Sequence, residues 1–172
     1  MKDHYRIVIV ADTHIGAERR PWLRKMNIDD NKYDAPFHEA SDWAMDSKNE
    51  VDTFIVAGDL YDQRRPTPGD YIRADMSLRP SGYHDLVIAG NHDVPSRGST
   101  DALWSIGLRR VNGTPDVWER KDSPYILCLP WPRPSDYPNI EGQTIEQEIA
   151  HTREQVLLDL NTHASHLDTD RP

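Results

Sequence analysis

Three apolar runs of this sequence each end in side chains that can bind a metal ion. The runs are residues 6–11, 51–57 and 85–89, and the side chains after them are Asp12 and His14, Asp59, and Asn91 and His92. An apolar run of this kind is typical of a strand buried on both faces, where a terminal charge is unfavourable unless a cation pairs with it. Because ligands of open α/β sheets bind at the carboxyl ends of the strands, the three endings together predict one site.

Asp12 and His14 follow the first run and stand two positions apart. If the strand continues through them, both side chains point to the same side. A carboxylate and an imidazole together suit manganese, iron or zinc. The alternative is that the two residues only begin a solvated loop after the strand.

Asp59 follows Gly58, and a glycine lets the backbone approach other groups closely. The carboxylate of Asp59 has two oxygens and is able to bridge two metal ions about 3.5–4 Å apart. The alternative is that Asp59 caps the next helix. For Asp62, slightly further along, capping or orienting the loop is the preferred interpretation.

Asn91, His92 and Asp93 follow the third run and its glycine, Gly90. The amide oxygen of Asn91 is a neutral candidate metal ligand, and His92 is a candidate ligand or general acid. Asp93 is expected to hold the imidazole of His92 by a hydrogen bond. Taken alone, this string also fits an ordinary turn.

The segments between these runs predict the helices of an α/β fold. Residues 37–48 carry small and apolar side chains at helical spacing, so the first two runs form a βαβ unit. Thr67 with Asp70, and Thr144 with Gln147, match capping boxes that open helices. Those two helices run toward residues 78 and 160. A further helix is expected at 100–108, and paired strands at 117–120 and 125–129. A loop is expected at 16–36 and a polar tail at 161–172.

The composition limits the classes of protein to consider. A length of 172 residues suits one domain, covering residues 1–172, and the net charge of -9 argues against nucleic-acid binding through a basic surface. A metal site can still take a phosphate, since bound cations reverse the local sign of charge. The single cysteine, Cys128, predicts a reducing, cytoplasmic setting without an intrachain disulfide. No stretch is long enough to cross a bilayer, and the N-terminus lacks the apolar region of a signal peptide.

Taken together, the motifs D-x-H, G-D-x-x-D and G-N-H-D resemble those of the calcineurin-like metallophosphoesterases, and among them the SbcD-type DNA repair nucleases. The motifs stand at residues 12–14, 58–62 and 90–93. The string Leu-Pro-Trp-Pro-Arg at residues 129–133 is similar to a strand-end segment of those nucleases. The resemblance implies a β-sandwich flanked by helices.

The same resemblance implies two divalent metal ions, with manganese typical and magnesium, iron or zinc as alternatives. Asp59 would bridge the two ions, Asp12 and His14 would serve the first ion, and Asn91 would serve the second. The ions would stabilise the attacking and leaving oxygens of an in-line displacement at phosphorus. His92 would protonate the leaving group or stabilise the transition state.

Partners also follow from the resemblance. DNA is the implied substrate, an SbcC-type ATPase is an implied partner, and no membrane is expected. A homodimer would form through the helices near residues 71–78 and 100–108. Two alternatives stay open: a phosphoesterase acting on small phosphoesters or phosphoproteins, and a non-catalytic assembly module.

One part of the family pattern is missing from this sequence. The family continues with a strand that ends in histidine and then a G-H-x-H motif, whereas His163 and His166 have a different spacing and lack the glycine. We therefore expect a C-terminally incomplete phosphoesterase domain whose second metal site lacks ligands. These 172 residues are expected to show weak catalysis or none.

Overall fold

The computed structural model of the chain describes residues 4–17, 31–78, 86–93, 109–111, 113–120, 123–138 and 141–167. The chain divides into two compact units, residues 6–110, and residues 111–172 together with 1–5. The prediction of one domain over residues 1–172 stays a prediction.

The first unit contains a four-stranded sheet whose first three strands are parallel. Its strands are β1 (Ile7–Val10), β2 (Thr53–Ala57), β3 (Leu86–Ile88) and, at the boundary of the unit, β4 (Arg109–Val111), in that order across the sheet. β1 pairs with β2 and β2 pairs with β3, with Val8 beside Phe54 and Val56 beside Val87. The three predicted strands are thus confirmed, and because they are parallel their carboxyl ends lie at one edge of the sheet.

Burial differs between the strands. Phe54 and Val56 of β2 are buried, as the apolar run predicted for a strand covered on both faces. Among the strands that the structure describes, β1 lies at the end of the sheet, and its Ile9 is 63% exposed. The expectation that β1 is also buried on both faces is therefore wrong, because one face of this end strand is left to solvent at Ile9.

Helix α1 (Asn31–Met45) begins earlier than predicted and contains Pro36. The sequence placed Pro36 at the end of a loop, because a proline inside a helix removes one backbone hydrogen bond. In the structure the helix tolerates Pro36, and the nearby side chains of Asp34 and Phe37 are buried. The helix also ends before Lys48, which belongs to a 3₁₀ turn at Ser47–Asn49.

Helix α2 (Pro68–Ser77) begins at the predicted capping box. The Thr67 hydroxyl accepts a hydrogen bond from the Asp70 backbone nitrogen at 3.4 Å, and Asp70 Oδ2 accepts one from the Thr67 nitrogen at 2.6 Å. These bonds satisfy amides that have no partner within the helix. The start of α2 is thus determined locally, by residues three apart in the sequence.

Charged side chains join α1 to α2 beside this capping box. Arg73 lies between two buried carboxylates, with its Nε 2.9 Å from Asp34 Oδ2 and its Nη2 2.6 Å from Asp70 Oδ1. A carboxylate out of water is costly unless a cation and hydrogen bonds compensate it. Arg73 therefore stabilises two carboxylates that the fold has already buried.

We expect Arg73→Met to lower the free energy of unfolding by about 2 kcal/mol. The effect is smaller than the roughly 3–5 kcal/mol seen when a fully buried pair is broken, because Arg73 remains partly exposed to solvent. Urea denaturation followed by circular dichroism measures it. Arg153→Ala, on an exposed part of the last helix, is the control and should change stability by less than about 0.5 kcal/mol. Equal stability of the two variants would contradict this role of Arg73.

The second unit contains a hairpin and a long helix. Strands β5 (Asp116–Trp118) and β6 (Ile126–Cys128) pair antiparallel, as predicted, and a 3₁₀ turn follows at Pro134–Asp136. Helix α3 (Ile145–Ser165) starts at the predicted capping box of Thr144 and Gln147. The helix continues to Ser165, so the polar segment predicted as a tail from residue 161 begins inside it.

Some predictions fall elsewhere. The helix predicted over residues 100–108 and most of the loop predicted over 16–36 lie outside the described residues. Among the helices that the structure describes, none is long and apolar enough to cross a membrane.

Candidate metal centre

The segments after β1 and β2 stay paired beyond the ends of the strands. The backbone nitrogens of Asp12 and His14 donate to the carbonyl oxygens of Gly58 and Asp59, at 3.1 and 3.0 Å. The Asp62 nitrogen donates to the Ile15 oxygen at 3.0 Å. The two segments that carry the predicted ligands are therefore held side by side by main-chain bonds.

Several candidate ligands have a left-handed backbone. Asp12, His14 and Asp59 have φ angles of 53°, 46° and 49°. Such angles cost a non-glycine residue on the order of 1 kcal/mol each and are frequent at functional sites. Asp12 and His14 thus lie beyond the extended strand, and the predicted same-side alternation does not apply to them. They meet because the left-handed turns bring His14 Nε2 to 3.9 Å from Asp12 Oδ1.

The residues predicted from the three motifs come together at the carboxyl edge of the sheet. Asp12, His14 and Asp59 form one group whose possible ligand atoms all lie within 4.8 Å of one another. His14 also belongs to a second such group, with Asp62 and His92. The side chain of Asp12 is 74% exposed, whereas Asp59 is buried. The first group therefore has one solvent-facing carboxylate, Asp12, and one inner carboxylate, Asp59.

Asn91 lies directly against the Asp59 carboxylate. With its amide nitrogen toward Asp59, Asn91 donates to Oδ2 at 2.8 Å and to Oδ1 at 3.2 Å. With its amide oxygen toward Asp59, acceptors face each other, and that arrangement is favourable only when a cation lies among the oxygens. Either amide orientation keeps Asn91 beside Asp59.

The donor set fits a divalent cation. His14 Nδ1 is buried and makes no hydrogen bond in the part of the chain that the structure describes. A buried imidazole nitrogen without a partner is unfavourable. A cation bound to the ring, or an acceptor brought closer to Nδ1, would compensate it. Carboxylate, imidazole and amide oxygen are together the ligands of manganese, iron and zinc sites.

Glycines stand at two positions beside Asp59, and Gly90 makes room for it. A Cβ atom on Gly90 would lie 2.1 Å from Asp59 Oδ1 and 2.2 Å from the Asp59 backbone nitrogen. A Cβ atom on Gly58, which has a φ of 93°, would lie 3.4 Å from Gly90 Cα. The segments after β2 and β3 can therefore approach this closely only because Gly90 lacks a side chain, whereas at Gly58 it is the positive φ that favours glycine.

His92 is held by two contacts. Its backbone nitrogen donates to Asp59 Oδ1 at 2.9 Å, and its Nδ1 lies 2.6 Å from the carbonyl oxygen of Asp62. Because a carbonyl oxygen only accepts, Nδ1 carries the proton in this contact. The Nε2 atom is then the reactive end of the His92 ring.

Asp93 does not hold His92, contrary to the expectation from the sequence. Its Oδ2 accepts hydrogen bonds from the backbone nitrogens of Leu60 and Gly90 at 3.1 and 3.0 Å, and its Oδ1 accepts one from Tyr61 at 3.0 Å. Asp93 therefore ties the segment after β2 to the segment after β3. Burial raises the pKa of the Asp93 carboxyl above its usual value of 3.8, although the three amide hydrogen bonds act in the opposite direction.

Asp93→Asn is expected to lower the free energy of unfolding by about 2 kcal/mol, because one amide oxygen cannot replace both carboxylate oxygens and at least one backbone N–H loses its acceptor. The raised pKa means that folded wild type binds a proton more readily than unfolded chain does. The stability advantage of wild type over the variant should thus shrink as the pH rises above 3.8. Chemical denaturation of the metal-free proteins across that interval measures it, and an advantage that grows with pH would contradict it.

A cleft of about 380 Å³ opens next to the centre. It adjoins the exposed carboxylate of Asp12, so the centre is open to a ligand on this side. Its lining residues are Val10, Ala11, Asp12, Thr13, Pro36 and Phe37.

The contacts of Asp62 with two histidines were not predicted from the sequence. The sequence predicts a residue that caps or orients the loop, and the structure places its carboxylate 3.6 Å from His14 Nδ1 and its backbone oxygen 2.6 Å from His92 Nδ1. The available signal was the position of Asp62 shortly after Asp59 in the same motif.

Known proteins include several that are similar to this chain. The family model described as calcineurin-like phosphoesterase matches residues 5–169. The SbcD component of the nuclease SbcCD from Escherichia coli strain K12 is 28% identical over 144 residues, covering 76% of this chain and 34% of that protein. The DNA double-strand break repair protein Mre11 of Halobacterium salinarum is 32% identical over 123 residues, covering 65% of this chain and 29% of that protein.

Among solved structures, a protein of unknown function from Aquifex aeolicus has a TM-score of 0.43 and 15% identity, with 90% of this chain and 74% of that chain covered. The chain spans about a third of the length of the curated relatives named above.

Proposed function

The chain belongs to the calcineurin-like phosphoesterase family, and on that basis we propose that it is a metal-dependent phosphodiesterase of the SbcD type that acts on DNA. Members of this family use divalent metals to hydrolyse phosphoesters, and the mixed α/β architecture with its parallel sheet is consistent with the family fold. The observation that carries the proposal is the meeting of Asp12, His14, Asp59 and Asn91 around one inner carboxylate.

Each candidate ligand has a proposed place. Asp12, His14 and Asp59 hold one ion, and Asp59 with Asn91 holds part of the shell of a second ion. Manganese is the proposed metal. Iron and zinc are alternatives that accept imidazole and carboxylate donors, and magnesium is an alternative that would use the oxygen donors. When bound, such ions stabilise the negative charge that develops on phosphate oxygens.

His92 is the proposed acid. Its Nδ1 donates to the Asp62 carbonyl oxygen, which leaves Nε2 available to the substrate. When the ring is protonated, Nε2 carries a proton that it can give to the leaving oxygen. The bond from the His92 backbone nitrogen to Asp59 keeps this acid next to the inner carboxylate.

DNA is the proposed substrate because the similar proteins from Escherichia coli and Halobacterium salinarum are named as part of a nuclease and as a DNA break repair protein. The net charge of -9 makes the metals, rather than a basic surface, the proposed anchor for the phosphate. An SbcC-type ATPase is a proposed partner, and a cytoplasmic location is proposed from the single cysteine.

A homodimer through α2 is also part of the proposal. Ile72 and Met76 lie one helical turn apart on α2, and their side chains are 60% and 69% exposed. Apolar side chains at this spacing form one stripe on a helix surface, which suits packing against a second helix.

Hydrolysis of duplex DNA with manganese tests the proposal against a small phosphodiester assayed in parallel. We expect slow, manganese-dependent cleavage of DNA by the chain. Cleavage should be lost in Asp59→Asn and kept in Asp52→Asn, which changes a carboxylate at the opposite end of β2. Hydrolysis of the small phosphodiester alone would favour the phosphoesterase alternative. Absence of manganese binding by calorimetry would favour the non-catalytic assembly module.

A further inference from the structure

We propose that Asp62 is a positioning residue that orients both imidazoles of the centre, His14 through its side chain and His92 through its backbone carbonyl. This inference rests on the proposed function, because it assigns a role in organising the same metal centre. Neither contact involves Asp93, the residue from which the sequence suggested such support.

The first contact is with His14. Asp62 Oδ1 lies 3.6 Å from His14 Nδ1, and the other ring nitrogen, Nε2, lies 3.9 Å from Asp12 Oδ1. His14 Nδ1 is a buried atom that makes no hydrogen bond among the described residues. A small closure of the distance to Asp62 gives this nitrogen an acceptor, and that acceptor places the ring proton on Nδ1. Nε2 then keeps its lone pair on the side of Asp12 and Asp59.

The second contact is with His92. The carbonyl oxygen of the same residue accepts the proton of His92 Nδ1 at 2.6 Å. The two rings stand edge to face, with their centroids 5.1 Å apart. A displacement of residue 62 therefore moves both rings.

Asp62 is itself well fixed. Its side chain is 3% exposed. Its backbone nitrogen donates at 3.0 Å to the carbonyl oxygen of Ile15, the residue that follows His14. A buried carboxylate anchored on the neighbouring segment holds a ring orientation without a large ordering cost when metal binds. Outer partners of this kind fix the tautomer of a metal-binding histidine and raise its basicity as a ligand, and their loss typically lowers metal affinity about 10–100-fold.

Two variants separate the contribution of the acceptor from that of the charge. Asp62→Asn keeps an oxygen that can accept from His14 Nδ1, whereas Asp62→Ala removes the acceptor. We expect manganese affinity, measured by calorimetry, to fall by about 10–100-fold in Asp62→Ala and by less in Asp62→Asn. Asp52→Asn should bind manganese like wild type, and Asp59→Asn should lose the metal.

Nitrogen NMR of histidine-labelled, metal-free protein gives a readout that does not depend on activity. The His14 resonances are assigned with His14→Gln. In wild type and Asp62→Asn we expect the His14 proton on Nδ1, and in Asp62→Ala a mixture of tautomers. The His92 proton should stay on Nδ1 in all three, because its acceptor is a backbone oxygen, and this signal also reports that each variant is folded.

Two results would overturn the inference. One is a His14 proton on Nε2 in the wild type. The other is equal manganese affinity in wild type and Asp62→Ala while Asp59→Asn loses the metal, since the centre would then exist without needing Asp62. Should wild type bind no manganese, the proposed function fails, and the His14 tautomer alone decides the role of Asp62. If Asp62→Ala does not fold, Asp62→Asn decides the question. A loss of manganese affinity in Asp62→Asn as large as that expected for Asp62→Ala, with the His14 proton still on Nδ1, would count against a positioning role of Asp62.

Discussion

Asp59→Asn is expected to lower the affinity of the protein for manganese on the order of 100-fold or more. Asp59 is the inner carboxylate that lies within ligand distance of Asp12 and His14 and against the amide of Asn91. An asparagine keeps the size of the side chain and one oxygen to accept from the His92 backbone nitrogen, so the fold should persist. What the substitution removes is the negative charge that compensates the cation and the second oxygen that can serve a second ion.

Isothermal titration calorimetry with manganese measures this loss, and circular dichroism confirms that the variant is folded. Asp52→Asn is the matched control, because Asp52 accepts a hydrogen bond from the Arg6 backbone at 3.0 Å at the opposite end of β2. Manganese affinity of Asp59→Asn within about threefold of the control would show that Asp59 does not bind the metal, and the proposed bridging role would have to be abandoned.

Gly90→Ala is expected to cause the largest loss of stability of any single methyl addition at the centre. The new Cβ atom would lie 2.1 Å from Asp59 Oδ1 and 2.2 Å from the Asp59 backbone nitrogen. Contacts this short with main-chain atoms cannot be relieved by a rotamer change, so either the segment after β2 or the segment after β3 must move. Overpacking of this severity costs about 3 kcal/mol or more, and the displaced Asp59 should also lose manganese.

Thermal and urea denaturation of the variant measure the stability loss, and calorimetry measures the metal. Gly69→Ala is the control: its Cβ atom would meet only the Thr67 hydroxyl, at 3.7 Å, within helix α2. Alanine is the better helix former by roughly 0.5–1 kcal/mol, so the control should be neutral or stabilised. Equal stability of Gly90→Ala and Gly69→Ala would contradict the close crossing of the two segments.

Much of the fold followed from local patterns. The apolar runs before Asp12, Asp59 and Asn91 became three adjacent parallel strands, and both capping boxes opened helices at the predicted residues. Local chemistry was sufficient there, because a cap joins residues three apart and a short apolar run bounded by polar residues indicates a strand. Strand β4 was not predicted, since two of its three residues are arginines. The start of α1 was misplaced because Pro36 disfavours a helix interior on local grounds alone.

The set of candidate ligands was also readable from residue types and spacing. Residue type and position after an apolar run predict Asp12, His14, Asp59, Asn91 and His92 as candidates, and parallel strands place such endings at one edge. The partners of the neighbouring residues were not readable in this way. Asp93 bonds the backbone of Leu60, Tyr61 and Gly90 rather than the adjacent His92, and Asp62 lies against His14 and His92, which are distant from it in sequence.

The difference between the features that were predictable from the sequence and those that were not has a physical cause. Which side chains reach the carboxyl edge depends on strand direction and on where each apolar run ends, and both are properties of short stretches of chain. Which carboxylates face one another and which one joins two loops depends on distances between segments. Those distances are decided by the left-handed turns at Asp12, His14 and Asp59 and by the crossing at Gly90. These features arise only when the segments pack together, because no local pattern specifies a contact between residues some thirty positions apart.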